Sequence, residues 1–305
     1  MSLASARSWL QAARPLAAGN LVPPLVFGAS LAAGGGDEGS SWGVPFSWGG
    51  LALALGFGLL DQLFIVFTND TADAEADAQN QHPTWASGGS RVIPEGRLSR
   101  AAVGFAAGLS ALLLMGYGLA AARATGRLAW LGLTAAAIGL LVAYSLPPLR
   151  LSYRGHGEWL QGLGVGGVLP LVGFTAQGAP WTALSPLSLL GAVLLGYAGN
   201  LTTSIPDHAA DVAANKRSYA ARRGPLRATR DSALCITLAA LTTPLVVPDA
   251  SIAHAAAVAF IACALVLPSV LGALRGKPVG RHVVLRHGAA ISALFLGWAA
   301  LGWLS

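Results

Sequence analysis

Long apolar segments, each about as long as a helix that crosses a bilayer, account for most of this sequence. Only 10% of its 305 residues are charged, whereas a soluble globular protein carries about 25%. A membrane-crossing helix needs about 20 mostly apolar residues, so we predict an all-α polytopic membrane protein. About nine such segments are predicted, at 15–33, 47–68, 99–121, 127–146, 159–178, 184–204, 232–248, 252–274 and 288–304. We expect them to form a single domain over residues 1–305, bundled around a central cavity open to the cytoplasm.

The basic residues lie almost entirely on one side of these predicted spans. All but two of the 19 Lys and Arg residues fall in alternate loops, and only Arg123 and Arg127 fall in the opposite set. Positive charge accumulates in cytoplasmic loops, so the N-terminus is predicted to be cytoplasmic, in a bacterial cytoplasmic membrane. The same scatter of basic residues among short loops argues against nucleic acid as a partner, despite a pI near 9.9.

Two clusters of acids follow predicted spans on that cytoplasmic side. The first contains Asp70, Asp73 and Asp77 with Asn69 beside them, and in a helix these three acids lie within about 60° of one another. The second places Asn200, Asp207 and Asp211 within about 40° on one stripe of a helix.

Carboxylates crowded on one face repel each other unless a cation neutralises them. Mg²⁺ prefers carboxylate oxygens and usually keeps phosphate and water as further ligands. Two facing clusters can therefore hold Mg²⁺ ions that clamp one diphosphate. The alternative is that these acids are solvated loop residues, but two spaced clusters on one face, with Lys216 and Arg217 after the second, favour the metal interpretation.

The order of these motifs resembles the UbiA-type intramembrane prenyltransferases. That family carries N-D-x-x-D-x-x-x-D and D-x-x-x-D in the loops after its second and sixth helices. Further similar segments are Ala13-Arg14-Pro15, Ser87-Gly88-Gly89-Ser90 and the stretch from Tyr144 to Glu158. The last two are most similar to the menaquinone branch, the 1,4-dihydroxy-2-naphthoate polyprenyltransferases.

The sequence also departs from that branch. Pro83-Thr84-Trp85 stands where the family often has an arginine, and Asn215-Lys216-Arg217-Ser218 stands where Gly-Lys-Arg-Thr is usual. Ile65 replaces an asparagine that many naphthoate enzymes place one turn before the first motif, and Asp61 lies within the second predicted span. The departures leave diphosphate chemistry intact and leave the acceptor open.

The resemblance implies Mg²⁺-dependent transfer of a prenyl group from a prenyl diphosphate to an aromatic acceptor. The favoured acceptor is 1,4-dihydroxy-2-naphthoate, and 4-hydroxybenzoate, homogentisate, chlorophyllide-type and lipid acceptors are alternatives. Prenyl chain length and oligomeric state are not fixed by the sequence.

The resemblance also assigns roles to individual residues. Metal ligands are expected to be Asp70, Asp73 and Asp77 for one ion and Asp207 and Asp211 for the other. Catalytic residues are expected to be Asp70, Asp73, Tyr144, Tyr153 and Lys216, and substrate is expected to contact Asn69, Asp61, Arg150, Arg154, Asn200, Lys216 and Arg217. For Arg150 and Arg154 the alternative is a purely topological role, and for the two tyrosines it is an ordinary interfacial one.

Asp61 is an ionisable residue within a span, where charge is costly and function is the default interpretation. It either binds a polar group of the acceptor or lies protonated in a hydrogen bond between helices. A transporter is the competing class, but transporter sites lie near the midplane, whereas most acids here lie at helix ends.

Overall fold

The computed structural model describes residues 3–33, 44–80, 88–277 and 280–304, and every regular element in those ranges is helical. Pro83-Thr84-Trp85 and Ser87 lie outside the described residues. The helices are α1 (Leu3–Ala13), α2 (Val22–Ala33), α3 (Trp48–Ala72), α4 (Ala74–Gln79), α5 (Arg100–Thr125), α6 (Ala129–Ser145), α7 (Gly157–Leu163), α8 (Leu169–Gln177), α9 (Pro186–Ala213), α10 (Tyr219–Arg223), α11 (Pro225–Leu241), α12 (Thr243–Val246), α13 (Ile252–Leu274) and α14 (Arg281–Leu304).

Six helices are long and apolar enough to cross a membrane. They are α3, α5, α9, α13, α14 and the continuous helix Gly157–Gln177, in which a π-helical stretch joins α7 to α8. A bent pair, Ala4–Asn20 with Val22–Ala33, could be a seventh. An integral membrane protein with an all-helical fold is therefore supported.

The predicted count of nine spans is not confirmed, because two predicted segments do not form a single helix long enough to cross a membrane. The segment predicted at 127–146 forms α6, which has 17 residues and is shorter than the usual span of about 20. The segment predicted at 232–248 divides between α11, which ends at Leu241, and the four-residue α12. Pro244 lies in α12 and lacks the N–H that would continue the helical hydrogen bonds.

Glycines let α2 and α8 approach closely. A Cβ atom added to Gly28 would overlap the backbone of Pro170, and one added to Gly173 would overlap the backbone of Leu25. Lipid tails are as apolar as the helices, so close van der Waals packing through small residues replaces the hydrophobic effect as the driving force. The contact fixes α8 against α2, and α8 also packs against α3, which carries the first acid cluster at its end.

The ends of α3 and α9 lie beside each other at one end of the bundle. The short α4, which continues the chain after α3, packs against α9, and α7 packs along α9 as well. The segment Leu151–Arg154, a 3₁₀ turn between α6 and α7, contacts both of those helices. The fold therefore brings together residues from four separate parts of the chain.

Replacing Gly28 with Ala should destabilise the protein by about 1–3 kcal/mol, because the added methyl overpacks a backbone contact. Gly116→Ala is the matched control, since Gly116 lies in α5 and a Cβ there has nothing within 4 Å. Thermal unfolding in detergent should show a lower Tm for Gly28→Ala and an unchanged or higher Tm for Gly116→Ala. Equal effects would contradict the close packing of α2 and α8.

Candidate active site

Asp70 is buried and is held by groups from two other segments. Its carboxylate is 3% exposed and forms an ion pair with Arg14, which follows α1. The backbone N–H of Ser90 donates to Asp70 Oδ1 at 3.2 Å, and the Ser90 hydroxyl donates to the other carboxylate oxygen. Asp70 is therefore fixed in position by a cation and two hydrogen-bond donors.

Asp73 lies at the break between α3 and α4. Its backbone conformation, φ −96° and ψ 6°, ends α3, and α4 begins at the next residue. The Tyr153 hydroxyl donates to Asp73 Oδ1 at 2.8 Å, and Lys216 Nζ donates to Asp73 Oδ2 at 3.0 Å. The break turns Asp73 away from the partners of Asp70, so the two carboxylates face different cations.

Lys216 joins the two acid clusters. Its ammonium nitrogen lies 3.0 Å from Asp73 of the first cluster and 3.9 Å from Asp211 of the second. Burial alone would lower the pKa of Lys216, but the nearby groups, Asp73 foremost, outweigh it and hold the pKa well above its usual value. Lys216 is therefore charged at neutral pH.

The loop after the first cluster covers it with backbone. Gly88 and Gly89 have φ values of 74° and 68°, the left-handed region that glycine enters without strain. The N–H of Gly88 donates to Asp207 Oδ1 at 3.0 Å, so this loop touches the second cluster too. A Cβ on Gly89 would overlap the Asp77 carboxylate, so a side chain at this position would displace that carboxylate.

Asp77 adds a further carboxylate to this region. Burial, and then the charges of Asp73 and Asp70, raise the pKa of Asp77 to about 7. Asp207 also acts on Asp77 in the same direction. The two clusters therefore lie within electrostatic range of each other, as their equivalent positions at the ends of α3 and α9 predict.

A small cavity of about 60 Å³ lies against the second cluster. Its walls include Tyr144, Asn200, Asp207, Asp211 and Lys216. The Asn200 amide donates to the Tyr144 hydroxyl at 3.2 Å and to Gln161 Oε1 at 2.9 Å. The Lys216 ammonium group lies between the carboxylates at this cavity.

Arg150 lies against the end of α3. Its guanidinium donates to the carbonyl of Ala72 at 2.9 Å and lies 3.6 Å from the centre of the Tyr153 ring. A cation at a helix C-terminus is favoured by the helix dipole. Asn69 is nearby on α3, where its Oδ1 accepts a hydrogen bond of 2.6 Å from the Ser145 hydroxyl.

Three predicted site residues lie apart from this group. Arg154 is exposed and donates to the carbonyl of Pro148, and Arg217 is exposed, with its backbone bonded to Tyr153 and Arg222. The Arg154 guanidinium is bound by a nearby carbonyl, and among the described residues the Arg217 side chain makes no contact with a carboxylate of the clusters. Asp61 is 5% exposed in α3 and makes no hydrogen bond or ion pair with another residue that the structure describes.

The donor chemistry of this region fits Mg²⁺, which takes hard carboxylate oxygens. Within the described ranges, no three acidic, His or Cys side chains converge on one metal position. Asp70 instead pairs with Arg14, and Asp73 pairs with Lys216. Asp77 lies against Gly89 of the loop that contains Gly88 and Gly89, the glycine loop. Mg²⁺ usually needs only one or two protein carboxylates when phosphate and water complete its coordination, so the clusters fit the ion as separate ligands.

Four further residues contact the predicted site residues and were not themselves predicted: Arg14, Ser90, Ser145 and Gln161. Each contacts a predicted site residue from a distant part of the chain. Ala13-Arg14-Pro15 and Gly88-Gly89-Ser90 did stand out as similar to a family, which is the signal that could have identified Arg14 and Ser90. Glu158 is 2% exposed and pairs with Arg222 at 2.8 Å, so it orients an arginine.

Comparison with protein families matches residues 21–280 to the UbiA prenyltransferase family. A UbiA homolog from Archaeoglobus fulgidus bound to DMAPP and Mg²⁺ is similar, with TM-score 0.69 and 17% identity over 96% of this chain and 98% of that one. A UbiA homolog from Aeropyrum pernix K1 has TM-score 0.66 and 16% identity over 93% and 95%.

A digeranylgeranylglyceryl phosphate synthase structure has TM-score 0.64 and 15% identity over 99% of each chain. At these identities the likenesses show the fold. Comparison with curated proteins found no match.

Gly89→Ala should weaken Mg²⁺ binding at the first cluster, because its new methyl would displace the Asp77 carboxylate. Gly96→Ala is a matched control, since Gly96 has the same φ of 68° but open space around a Cβ. Each variant should lose about 1–2 kcal/mol of stability from a left-handed non-glycine residue. Only Gly89→Ala should reduce the rise in Tm on adding Mg²⁺. An equal reduction in both would show that strain, not collision, is responsible.

Proposed function

Because this chain belongs to the UbiA prenyltransferase family, we propose that it transfers a prenyl group from a prenyl diphosphate to an aromatic acceptor, with 1,4-dihydroxy-2-naphthoate favoured. The main support for the proposal is the position of Lys216. Its Nζ lies 3.0 Å from Asp73 Oδ2 and 3.9 Å from Asp211 Oδ1. A single cation between two carboxylate clusters is suited to one diphosphate held between them. The enzyme is a prenyltransferase that uses Mg²⁺.

The proposed reaction begins at the allylic carbon–oxygen bond. That bond breaks, and its electron pair leaves with the diphosphate. A ring carbon of the acceptor supplies the electrons for the new carbon–carbon bond, and the ring then loses a proton. Mg²⁺ bound by the Asp clusters would neutralise charge on the departing diphosphate.

The residues of the chain stabilise the leaving group and the cationic carbon. Lys216 supplies a fixed positive charge beside the diphosphate, which costs no reorganisation during the reaction. Arg150 covers one face of the Tyr153 ring, so Tyr153 is better placed to orient Asp73 than to stabilise a carbocation. Tyr144 lines the cavity and is held by Asn200, which makes its ring the preferred neighbour of the cationic carbon.

The acceptor is the less determined half of the proposal. The stretch from Tyr144 to Glu158 resembles the menaquinone branch and favours a naphthoate acceptor. We assign Asp61 to the acceptor because it is buried in α3 without a partner among the described residues. The similarity to a digeranylgeranylglyceryl phosphate synthase keeps a lipid-type acceptor in the comparison.

The proposed location is a bacterial cytoplasmic membrane, with the N-terminus and the acid clusters on the cytoplasmic side. The one-sided distribution of Lys and Arg supports this orientation. A transporter is disfavoured because the clusters lie at the ends of α3 and α9 and not near mid-membrane.

The direct test uses purified protein in lipid, Mg²⁺, a labelled prenyl diphosphate and a panel of acceptors. We expect one prenylated product, identified by mass, with release of diphosphate that EDTA abolishes. The panel contains 1,4-dihydroxy-2-naphthoate, 4-hydroxybenzoate, homogentisate, chlorophyllide and glyceryl phosphate ethers. Absence of product and of diphosphate release with every acceptor and prenyl chain length would refute the proposal.

Asp73→Asn and Asp207→Asn should each lower kcat by about 10²–10³-fold, the usual effect of losing one preorganised electrostatic group. Glu75→Gln is the control, because Glu75 lies in the same segment but is 84% exposed and pairs with Arg100. Circular dichroism and Tm would verify folding of each variant. Wild-type turnover in either aspartate variant would contradict the metal assignment.

Asp61→Asn should raise the KM for the acceptor about tenfold or more while leaving the KM for the diphosphate unchanged, because only the contact of this carboxyl group with the acceptor is weakened. Steady-state kinetics with each substrate varied in turn would measure both constants. Ser110→Ala is the control, because it removes a buried polar group from the neighbouring α5. Gln62→Glu is unsuitable because Gln62 contacts Arg14. Equal changes in both KM values would place Asp61 outside the acceptor site.

A further inference from the structure

A second cavity lies between the ends of α11, α13 and α14. Its volume is about 440 Å³, several times that of the cavity beside Asp207. The two cavities share no lining residue. Val283 forms one wall and packs with Ile205 and Ala228, so an apolar cluster separates this cavity from the candidate active site.

The titratable groups in its lining are all basic. They are Arg275, Lys277, His282 and Arg286, and no acid stands among the lining residues. None of the four forms an ion pair with a described residue, whereas Arg14, Arg100, Lys216 and Arg222 elsewhere do. Unneutralised cations around one concavity create a positive potential that favours an anion.

A buried hydroxyl also faces this cavity without a partner. Ser269 is 3% exposed, lines the cavity, and its Oγ makes no hydrogen bond in the described structure. A serine inside a helix commonly bonds the carbonyl four residues earlier, and a buried hydroxyl left unpaired is costly. An acceptor oxygen from a bound molecule would satisfy it.

The cavity lies at the same end of the bundle as the two acid clusters. The chain leaves α13 and enters α14 there, and α11 begins there. One flank is apolar and faces outward: Leu267 is 53% exposed, Leu271 is 41% exposed and Leu274 is 62% exposed along α13. A ligand with an anionic head and an apolar tail would match both parts.

We propose that this cavity binds the phosphate group of an anionic phospholipid, with Ser269, Arg275 and Arg286 as headgroup contacts and the exposed leucines of α13 along an acyl chain. Phosphate oxygens accept hydrogen bonds from a hydroxyl and from guanidinium groups. Basic pockets between membrane helices on the cytoplasmic side suit lipid headgroups for the same reason. The site is independent of the transferase reaction.

The test measures binding of phosphatidylglycerol to the full chain in nanodiscs of phosphatidylcholine, by titration and by native mass spectrometry. The variant Arg275→Gln/Arg286→Gln should bind about 25-fold more weakly, at about fivefold for each cation removed near a membrane surface. The control Arg223→Gln/Arg281→Gln removes two exposed cations from the same end of the bundle that do not line the cavity. Equal losses in both double variants would reduce the effect to general surface charge and overturn the proposal.

The variant Ser269→Ala should change stability and lipid binding in opposite directions. It should raise Tm in pure phosphatidylcholine, because an unpaired buried hydroxyl is removed, and it should weaken phosphatidylglycerol binding about fivefold or more. Unchanged phosphatidylglycerol binding by this variant would overturn the assignment of Ser269.

A last arm adds inorganic phosphate to protein in phosphatidylcholine alone. Failure of millimolar phosphate to raise Tm supports the lipid as the source. The lipid proposal would be overturned if phosphate raised the Tm of the wild type but not of Ser269→Ala, and if phosphatidylglycerol did not reduce that rise. The site would then bind a soluble phosphate.

Discussion

The ion pair of Lys216 with Asp73 connects the two acid clusters of the candidate site. Asp73 ends α3, whereas Lys216 follows α9, so one ammonium group links elements far apart in the chain. Asp211 lies on the other side of the same nitrogen, at 3.9 Å. Without that cation, the facing carboxylates would repel each other across a partly buried gap. A cation at this position therefore stabilises the arrangement of the loops around both helix ends.

The sequence predicted the membrane-spanning helices best, because lipid constrains these segments directly. A helix must satisfy its own backbone groups in lipid, so long apolar runs predict where helices lie. The run predicted at 252–274 corresponds to Ile252–Leu274, and the run predicted at 47–68 begins one residue before the helix Trp48–Ala72 and ends four residues before it does. Apolar content does not report exact helix length or breaks, so the sequence did not predict that α6 has only 17 residues or that the segment at 232–248 divides at Thr242.

The candidate site could be predicted only in part, for a related reason. Spacing along one helix identifies residues that share a face, so Asp207 and Asp211 could be grouped from the sequence. Contacts between distant segments leave no such periodic trace. The pairing of Arg14 with Asp70, 56 residues apart, is therefore visible only in the folded chain. The glycine loop could be predicted in part. Its paired glycines, Gly88 and Gly89, indicate an unusual backbone conformation but not which residues that backbone contacts.

The contact between Arg14 and Asp70 also has a thermodynamic consequence. A divalent cation that coordinates Asp70 competes with the guanidinium for the same oxygen. Binding equilibria that share a group are linked reciprocally, so each weakens the other by the same factor. If Asp70 binds the metal as proposed, the N-terminal helix, which ends one residue before Arg14, would be coupled to metal occupancy more than 50 residues along the chain. Loosening of that helix would tighten metal binding, and a loaded metal would release the helix.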